Sequence, residues 1–148
     1  MRTPDGKPVR LEDYAPTPYA VERVDLAFRL HPTDTIVDAE IRFSRRAGTP
    51  PGAPLELAGD QLSLEALSID GAALADDAAS VTPDRLVVPA PPAEPFTLAI
   101  RTRVHPTANT ELMGLYRSSG NYCTQCEAEG FRRITYFIDR PDVLAIYT

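Results

Sequence analysis

The stretch that decides the fold is Val24-Asp-Leu-Ala-Phe-Arg-Leu-His-Pro-Thr-Asp-Thr-Ile-Val-Asp-Ala-Glu-Ile-Arg-Phe43. It contains two runs in which apolar residues alternate with polar residues or alanine. Such alternation is typical of strands that have one face in a core. A turn is predicted at His31–Asp34, so the two runs form an antiparallel hairpin. Its buried faces are predicted to be Val24, Leu26, Phe28 and Leu30 on the first strand and Val37, Ala39, Ile41 and Phe43 on the second.

Shorter alternations continue this pattern toward the C-terminus. Asp70-Gly71 predicts a tight hairpin, because this dipeptide accepts positive φ. Ser80–Thr82 and Arg85–Val88 form a second small hairpin, and the proline-rich stretch Pro89–Pro95 is a stiff crossing between two sheets. Phe96–Val104 is a further strand. Other predicted elements are loop Ala47–Pro54, short strands at Leu55–Leu57 and Leu62–Leu64, and either a helical turn or a loop at Ala75–Ala79.

Length and composition indicate one all-β domain. The 148 residues are 43% hydrophobic, which is enough for a sizeable core, and 15 prolines against 8 glycines argue against long helices. We expect a β-sandwich or curved antiparallel sheets with little helix. Met1–Pro18 is predicted to be a surface arm. Residues 19–148 are predicted to be a single β domain that is truncated at its C-terminal edge.

The charge and hydropathy exclude some partners. With a net charge of −6 and no dense basic cluster, we expect no binding to nucleic acid. No run approaches the roughly 20 apolar residues that span a bilayer, and the N-terminus lacks the apolar region of a secretory signal. We therefore expect a cytoplasmic protein that does not associate with membranes.

The last forty residues mix turns with short elements. Leu115–Ser118 and Tyr122–Gln125 are predicted to pair as a hairpin, and Gly130 is expected to break the strand that follows. Phe131–Tyr136 and Pro141–Ala145 are candidates for short helical turns. The last predicted element is the beginning of another strand, at Ile146–Thr148.

Cys123 and Cys126 have the Cys-x-x-Cys spacing of a redox dithiol or half of a zinc site. A zinc site needs a second pair of ligands, and the two histidines, His31 and His105, are isolated in the sequence. A redox motif belongs at a helix start within a βαβ unit, which the pattern does not contain. Unpaired, buried thiols are therefore the favoured interpretation.

Gln125 and Glu127 are the candidate binding residues. If the chain is extended from Thr124 to Glu127, their side chains lie on one face, and an amide beside a carboxylate can receive an ammonium group. Periodicity alone favours a simpler interpretation, in which Glu127 pairs with Arg132 or Arg133 and Gln125 lies on the surface. Three further acids of this segment are interpreted as structural braces for arginines: Glu129, Asp139 and Asp142.

The same segment carries three consecutive motifs: Thr124-Gln-Cys-Glu-Ala-Glu-Gly-Phe-Arg132, Ile134-Thr-Tyr136 and Asp139-Arg-Pro-Asp-Val-Leu-Ala145. They resemble the aminopeptidase N family of zinc peptidases in its bacterial form. The similarity extends back to about Tyr19. The earlier stretches that carry it are Tyr19-x-Val21 with Val24-x-Leu26-x-Phe28, Leu55-x-Leu57-x-Gly59-x-x-Leu62, and Ala108-Asn109-Thr110-x-x-x-Gly114-Leu115-Tyr116.

This resemblance reverses the preference about Gln125 and Glu127. In the family, the glutamine and the first glutamate of the motif project from the N-terminal β domain into the active-site cleft. It implies that Glu127 helps hold the α-amino group of a peptide substrate and that Gln125 lines the pocket for the first side chain. The expected partners are thus a peptide N-terminus and the catalytic domain of the full protein.

The sequence also departs from the family pattern. It contains neither His-Glu-x-x-His nor Gly-Ala-Met-Glu-Asn. The resemblance therefore implies zinc in the full-length enzyme, with ligands outside this chain, and neither metal nor catalytic residues within it. We expect this chain alone to be inactive and to form oligomers through its exposed sheet edge. The alternative is a stand-alone β-sandwich module that binds a ligand or protein through Tyr116, Tyr122, Tyr136 and Phe137.

Overall fold

A computed structural model describes residues 10–75 and 77–148. This part of the chain is all-β, as predicted: it forms eleven strands and two 3-10 helices, Leu11–Asp13 and Phe131–Arg133. None of its helices is long and apolar enough to cross a membrane. The strands are β1 (Tyr19–Arg29), β2 (Thr35–Arg45), β3 (Leu55–Ala58), β4 (Ser63–Ile69), β5 (Ala72–Ala73), β6 (Ser80–Thr82), β7 (Arg85–Val88), β8 (Phe96–Val104), β9 (Gly114–Ser118), β10 (Asn121–Gln125) and β11 (Ile146–Tyr147).

The strands form three sheets. The largest has six strands in the order β11-β1-β2-β8-β4-β5, and all its pairings are antiparallel except that of β11 with β1. A three-stranded sheet has the order β3-β7-β6, and β9 pairs with β10 alone. Residues 89–95 connect β7 of the smaller sheet to β8 of the larger one, which confirms the predicted crossing between sheets.

Two apolar clusters form the core. In the larger cluster, buried side chains of β1, β2 and β8 pack with those of β3 and β7 and of residues 136–143. The smaller cluster lies near the β9–β10 hairpin and consists of Val37, Val104, Leu115 and Ile134. The alternating burial predicted for β2 and β8 is confirmed, because every second residue from Val37 to Phe43 and from Phe96 to Val104 is buried.

The burial predicted for β1 is only partly right. Its pairing with β2 shifts between Val21 and Arg23, so Tyr19 and Val21 are buried before this bulge and Val24 after it. A bulge adds one residue and exchanges the two faces of a strand. Phe28 and Leu30, which were predicted to be buried, are exposed because the strand ends there at the rim of the sheet.

The predicted turns agree with the structure where it describes them. Residues 32–34 turn between β1 and β2, and Asp70 and Gly71 both have positive φ between β4 and β5. The predicted arm lies partly outside the described residues; its described part includes the first 3-10 helix. The stretch Ala75–Ala79 contains residue 76, which also lies outside them.

The C-terminal elements are shorter than predicted. The β9–β10 hairpin forms in the predicted place, and the helical turn covers Phe131–Arg133 rather than the whole of Phe131–Tyr136. The helical turn predicted for Pro141–Ala145 is wrong, since only a turn at residues 141 and 142 is present. The chain has to extend again within a few residues to enter β11, and this leaves no room for a helix.

Candidate functional site

Gln125 and Glu127 lie at the end of the β9–β10 hairpin, on its second strand and in the turn that follows. β10 ends at Gln125, and residues 127–130 form a turn whose Glu127–Ala128 peptide bond is cis. β10 thus ends at the predicted residue, and the extended chain through Glu127, the condition for placing both side chains on one face, does not form. Both side chains are nevertheless exposed. Neither makes a hydrogen bond or an ion pair with any residue in the ranges 10–75 and 77–148.

Gly130 makes this turn compact. A Cβ at this position would lie 3.0 Å from the Cα of Cys126 and 3.0 Å from the carbonyl oxygen of Gln125. Real Cβ atoms are rarely so close to backbone atoms, so only glycine fits without displacing residues 125 and 126. The end of the turn, five residues after β10 ends, thus packs directly on the backbone that carries Gln125.

Arg132 fastens the turn to the chain that follows. Its guanidinium donates to Glu129 Oε2 at 2.6 Å and to Asp139 Oδ2 at 2.7 Å, and also to the carbonyl oxygen of Asp139 at 3.0 Å. Asp139 is buried, and its Oδ2 also accepts the backbone N–H of Arg132 at 3.2 Å. Burial lowers the pKa of Arg132, but the contacts with Asp139 and Glu129 outweigh this effect and raise it.

These contacts test the pairing that periodicity alone favoured for Glu127. The simpler interpretation paired Glu127 with Arg132 or Arg133, and it is wrong on this point, although Gln125 does lie on the surface. Glu129 and Asp139 pair with Arg132 instead, and Asp142 pairs with Arg140 at 2.8 Å. All three acids interpreted as structural braces therefore contact arginines.

Arg133 anchors the helical turn from the other side, and the sequence analysis did not single it out. Its buried guanidinium contacts Asp60 Oδ2 and Glu111 Oε2, each at 2.7 Å. Gly114 makes room for it: a Cβ there would collide with the Cβ of Arg133. Gly59 similarly leaves room for the ring of Tyr136, which explains the glycines of the two earlier family-like stretches.

The aromatic surface proposed for a stand-alone module does not form as expected. Tyr136 and Phe137 are buried, at 2% and 3% exposure, so neither can contribute to a binding surface. Phe137 instead packs edge-on against Phe131, with ring centroids 4.9 Å apart. Only Tyr116 and Tyr122 of the predicted set are partly accessible.

The two cysteines are unpaired, as predicted, but they are half-buried rather than buried. Burial raises the pKa of the Cys126 thiol, and the charge of Asp139 adds to this effect. A thiol with a raised pKa has little thiolate at neutral pH and is a poor nucleophile. The described neighbours of Cys126 therefore do not activate its thiol.

A groove of about 910 Å³ lies beside the predicted site but does not contain it. Its walls are residues 15–19, the strand β3 and the segment from Glu129 to Arg140. Arg132 and Asp139 line one part of it, whereas Gln125 and Glu127 do not line it. The predicted pair therefore lies on an open surface, where the described part of this chain does not enclose a ligand.

The described residues, 10–75 and 77–148, contain no group of three His, Cys, Asp or Glu side chains that could hold a metal ion. His31 lies in the turn after β1, where its Nδ1 is within 3.3 Å of the backbone nitrogens of Thr33 and Asp34. His105 follows β8. These residues do not fit a catalytic zinc ion, which takes three protein ligands.

Curated relatives match all or most of the length of this chain. Aminopeptidase N of Caulobacter vibrioides is 47% identical over all 148 residues, and aminopeptidase N of Escherichia coli is 43% identical over 92% of the chain. No protein-family model matches it. The chain is an N-terminal domain of the aminopeptidase N type. It spans only 17% and 15% of the lengths of these two relatives.

Solved structures have the same fold as this N-terminal domain. An aminopeptidase A of Legionella pneumophila, solved in complex with aspartic acid, superposes with a TM-score of 0.84 and 31% identity over 94% of this chain and 16% of that one. A zinc metallopeptidase of Deinococcus radiodurans, bound to a Tyr-Ser-Ala substrate, gives a TM-score of 0.71 at 18% identity. The match covers 87% of this chain and 31% of the metallopeptidase chain. At 18% identity, it supports the fold alone.

Proposed function

We propose that this domain recognises the free α-amino group of a peptide within a zinc aminopeptidase that removes N-terminal residues. Glu127 is the anchor for the ammonium group, and Gln125 contributes to the pocket for the first side chain. The remaining part of the longer protein supplies the zinc ligands and the catalytic residues.

The observation that carries this proposal is the contrast among the acids of the segment. Glu129, Asp139 and Asp142 are each within 3 Å of an arginine nitrogen. Glu127 is exposed and contacts no cation among the described residues. A carboxylate that is already paired gains little from a second cation, whereas an unpaired one on a fixed turn can receive an ammonium group by charge-assisted hydrogen bonds.

The position of Gln125 is consistent with binding the same substrate as Glu127. It is the last residue of β10, two positions before Glu127, and it is also exposed. An amide oxygen can accept a further N–H from the substrate, and an amide nitrogen can donate to a carbonyl. Two such groups on an open surface need a second wall to exclude water, and we propose that the catalytic domain forms this wall.

The relatives support the assignment to a zinc enzyme. Two curated relatives, 47% and 43% identical to this chain, are named aminopeptidase N, and the motifs of residues 124–145 resemble those of zinc peptidases. When bound in the intact enzyme, zinc would polarise a water molecule and the scissile carbonyl. The residues described in this chain only bind and orient the substrate's amino end. The unpaired thiols are compatible with a reducing compartment, and we propose that the protein acts in the cytoplasm.

The test is Glu127→Gln in the full-length enzyme. A charge-assisted hydrogen bond contributes roughly 1.5–3 kcal/mol. The substitution should therefore lower kcat/KM by about tenfold to a hundredfold, because each 1.4 kcal/mol is a factor of ten. Inhibitors that lack an α-amino group should bind both forms with similar affinity, since they do not use the carboxylate.

The matched control is Glu40→Gln, which removes an exposed glutamate from the outer face of the six-stranded sheet. It should change neither kcat/KM nor the melting temperature. Gln125→Ala should alter the ranking of substrates by their first residue rather than all rates equally. Unchanged kinetics together with a lower melting temperature in Glu127→Gln would contradict the recognition role and indicate a structural one.

A further inference from the structure

The carboxylate of Glu127 has no polar partner among the described residues to hold it in place. None of the hydrogen bonds or ion pairs among residues 10–75 and 77–148 involves its side chain. Its position therefore depends on the backbone of the turn at residues 127–130. Contacts with neighbouring residues hold this turn at two places, one on each side of Glu127.

The first place is the start of the turn. β10 pairs with β9 up to Gln125, which lies opposite Gly114. A Cβ added at Gly130 would lie 3.0 Å from backbone atoms of residues 125 and 126, so Gly130 packs closely on them. These contacts fix the point at which the turn leaves the hairpin.

The second place is Arg132. Glu129, two residues after Glu127, is held by the Arg132 guanidinium at 2.6 Å. The same guanidinium is held in turn by the side chain and the carbonyl oxygen of Asp139, which is buried. The planar fork of an arginine can donate to several acceptors at once in fixed directions, whereas a lysine ammonium acts as a point charge on a flexible stem.

We propose that Arg132 is a positioning residue for substrate binding: through Glu129 it holds the turn that aims Glu127 at the amino group. This inference rests on the proposed function of Glu127. It assigns to the Arg132–Glu129–Asp139 contacts a role in binding affinity in addition to stability.

The experiment uses Arg132→Lys in the full-length enzyme. The charge remains, but the fork is lost, so the turn should sample positions in which Glu127 misses the ammonium group. Because misplacement of a binding group by 1 Å can cost up to about a hundredfold, we expect a rise in KM of about threefold to tenfold. The turnover number kcat should remain within about twofold, because the reacting bond is handled elsewhere in the enzyme.

Arg140→Lys is the matched control. Arg140 has a similar exposure and pairs with Asp142 at 2.8 Å, but it makes no contact with residues 127–130 among the described residues. It should lower the melting temperature about as much as Arg132→Lys and leave KM unchanged. Glu129→Gln, which weakens only one contact of Arg132, should raise KM in the same direction and provides a second test if Arg132→Lys does not fold.

A double substitution separates the two proposals. If Arg132 acts through Glu127, Arg132→Lys should have no further effect on KM in a Glu127→Gln background. If Glu127→Gln lowers kcat/KM but the effect of Arg132→Lys persists undiminished in that background, the positioning role is overturned while the function of Glu127 stands. If Arg140→Lys raises KM equally, the positioning role is overturned as well. If Glu127→Gln has no effect on kinetics, the proposed function fails, and the positioning role fails with it.

Discussion

The centre of the six-stranded sheet and the segment from Cys126 to Arg140 are organised in opposite ways. In β2 and β8, burial follows a simple alternation, and apolar side chains such as Phe43, Phe96 and Leu98 fill the core. In the segment, only three residues form a regular element. Its shape depends instead on two arginines, the acids that they contact, and glycines that allow close approach.

This difference separates stability from function in the molecule. The sheet depends on many interchangeable apolar contacts, so its stability should respond to lost volume. The segment depends on a few directional contacts, so its geometry should respond to changes that leave volume and charge intact. Binding groups placed on such a segment, next to a rigid sheet, are held without being buried.

The largest loss of stability should come from a substitution in the core of the six-stranded sheet. Phe96 is 1% exposed and lies between Phe43 and Tyr19, with ring centroids 5.7 Å and 6.2 Å away. Phe96→Ala should lower the free energy of unfolding by about 3–5 kcal/mol, measured by urea denaturation. Phe28→Ala, at the exposed end of β1, is the control and should cost much less. Equal losses of unfolding free energy in the two variants would contradict the difference in burial between Phe96 and Phe28.

The second-largest loss of stability should come from Gly114, which packs closely against Arg133 of the segment. Gly114 has a φ of 69°, and a Cβ there would collide with Arg133. Gly114→Ala should therefore cost about 2–4 kcal/mol, which combines left-handed backbone strain with overpacking. Gly71, with a φ of 81° and no atom near its missing Cβ, isolates the backbone strain. A loss in Gly71→Ala as large as that in Gly114→Ala would contradict the packing role of Arg133.

The smallest effect should come from the charged outer face of the sheet. The hydrogen bond from Arg103 lowers the pKa of Glu65 below its ordinary value of 4.5. A carboxyl whose pKa is lower in the folded state stabilises the fold above its unfolded pKa, and this stabilisation is lost as the pH falls through the folded pKa. Arg103→Gln should therefore lower the melting temperature slightly at pH 7 and by a smaller amount near pH 3. A deficit that is the same at both pH values would exclude this ion pair as its source. Arg42 pairs with Glu22 at the longer distance of 3.8 Å. Arg42→Gln should therefore lower the melting temperature less than Arg103→Gln does.

Most of the strands could be predicted from the sequence because alternation is a property of neighbouring residues. The hairpins at residues 31–34, 70–71 and 83–84 and the crossing at residues 89–95 agree with the structure for this reason. The bulge in β1 could not be predicted in the same way. It exchanges the faces of the strand between Val21 and Val24, and nothing in the local pattern marks the extra residue.

The candidate site was predicted in part. The motif identified Gln125 and Glu127, and the structure shows that both are exposed. The end of β10 at Gln125 was predicted, but the turn that follows was not: Gly130 packs closely on residues 125 and 126, so the chain is not extended through Glu127. Glycine in a sequence indicates a turn or a close contact, but the sequence alone does not say which of these applies.

The sequence by itself determined the all-β class, the hairpins and the family resemblance, since each depends on residues that lie near one another in the chain. Only the tertiary structure decided which acids Arg132 and Arg133 contact, and therefore that Glu127 contacts no cation among the described residues. Arg133 pairs with Asp60, 73 positions away, and with Glu111, 22 positions away. Several carboxylates with the same charge lie closer in sequence. Charge alone cannot choose among them, and the choice is made by the direction in which the folded backbone points each side chain.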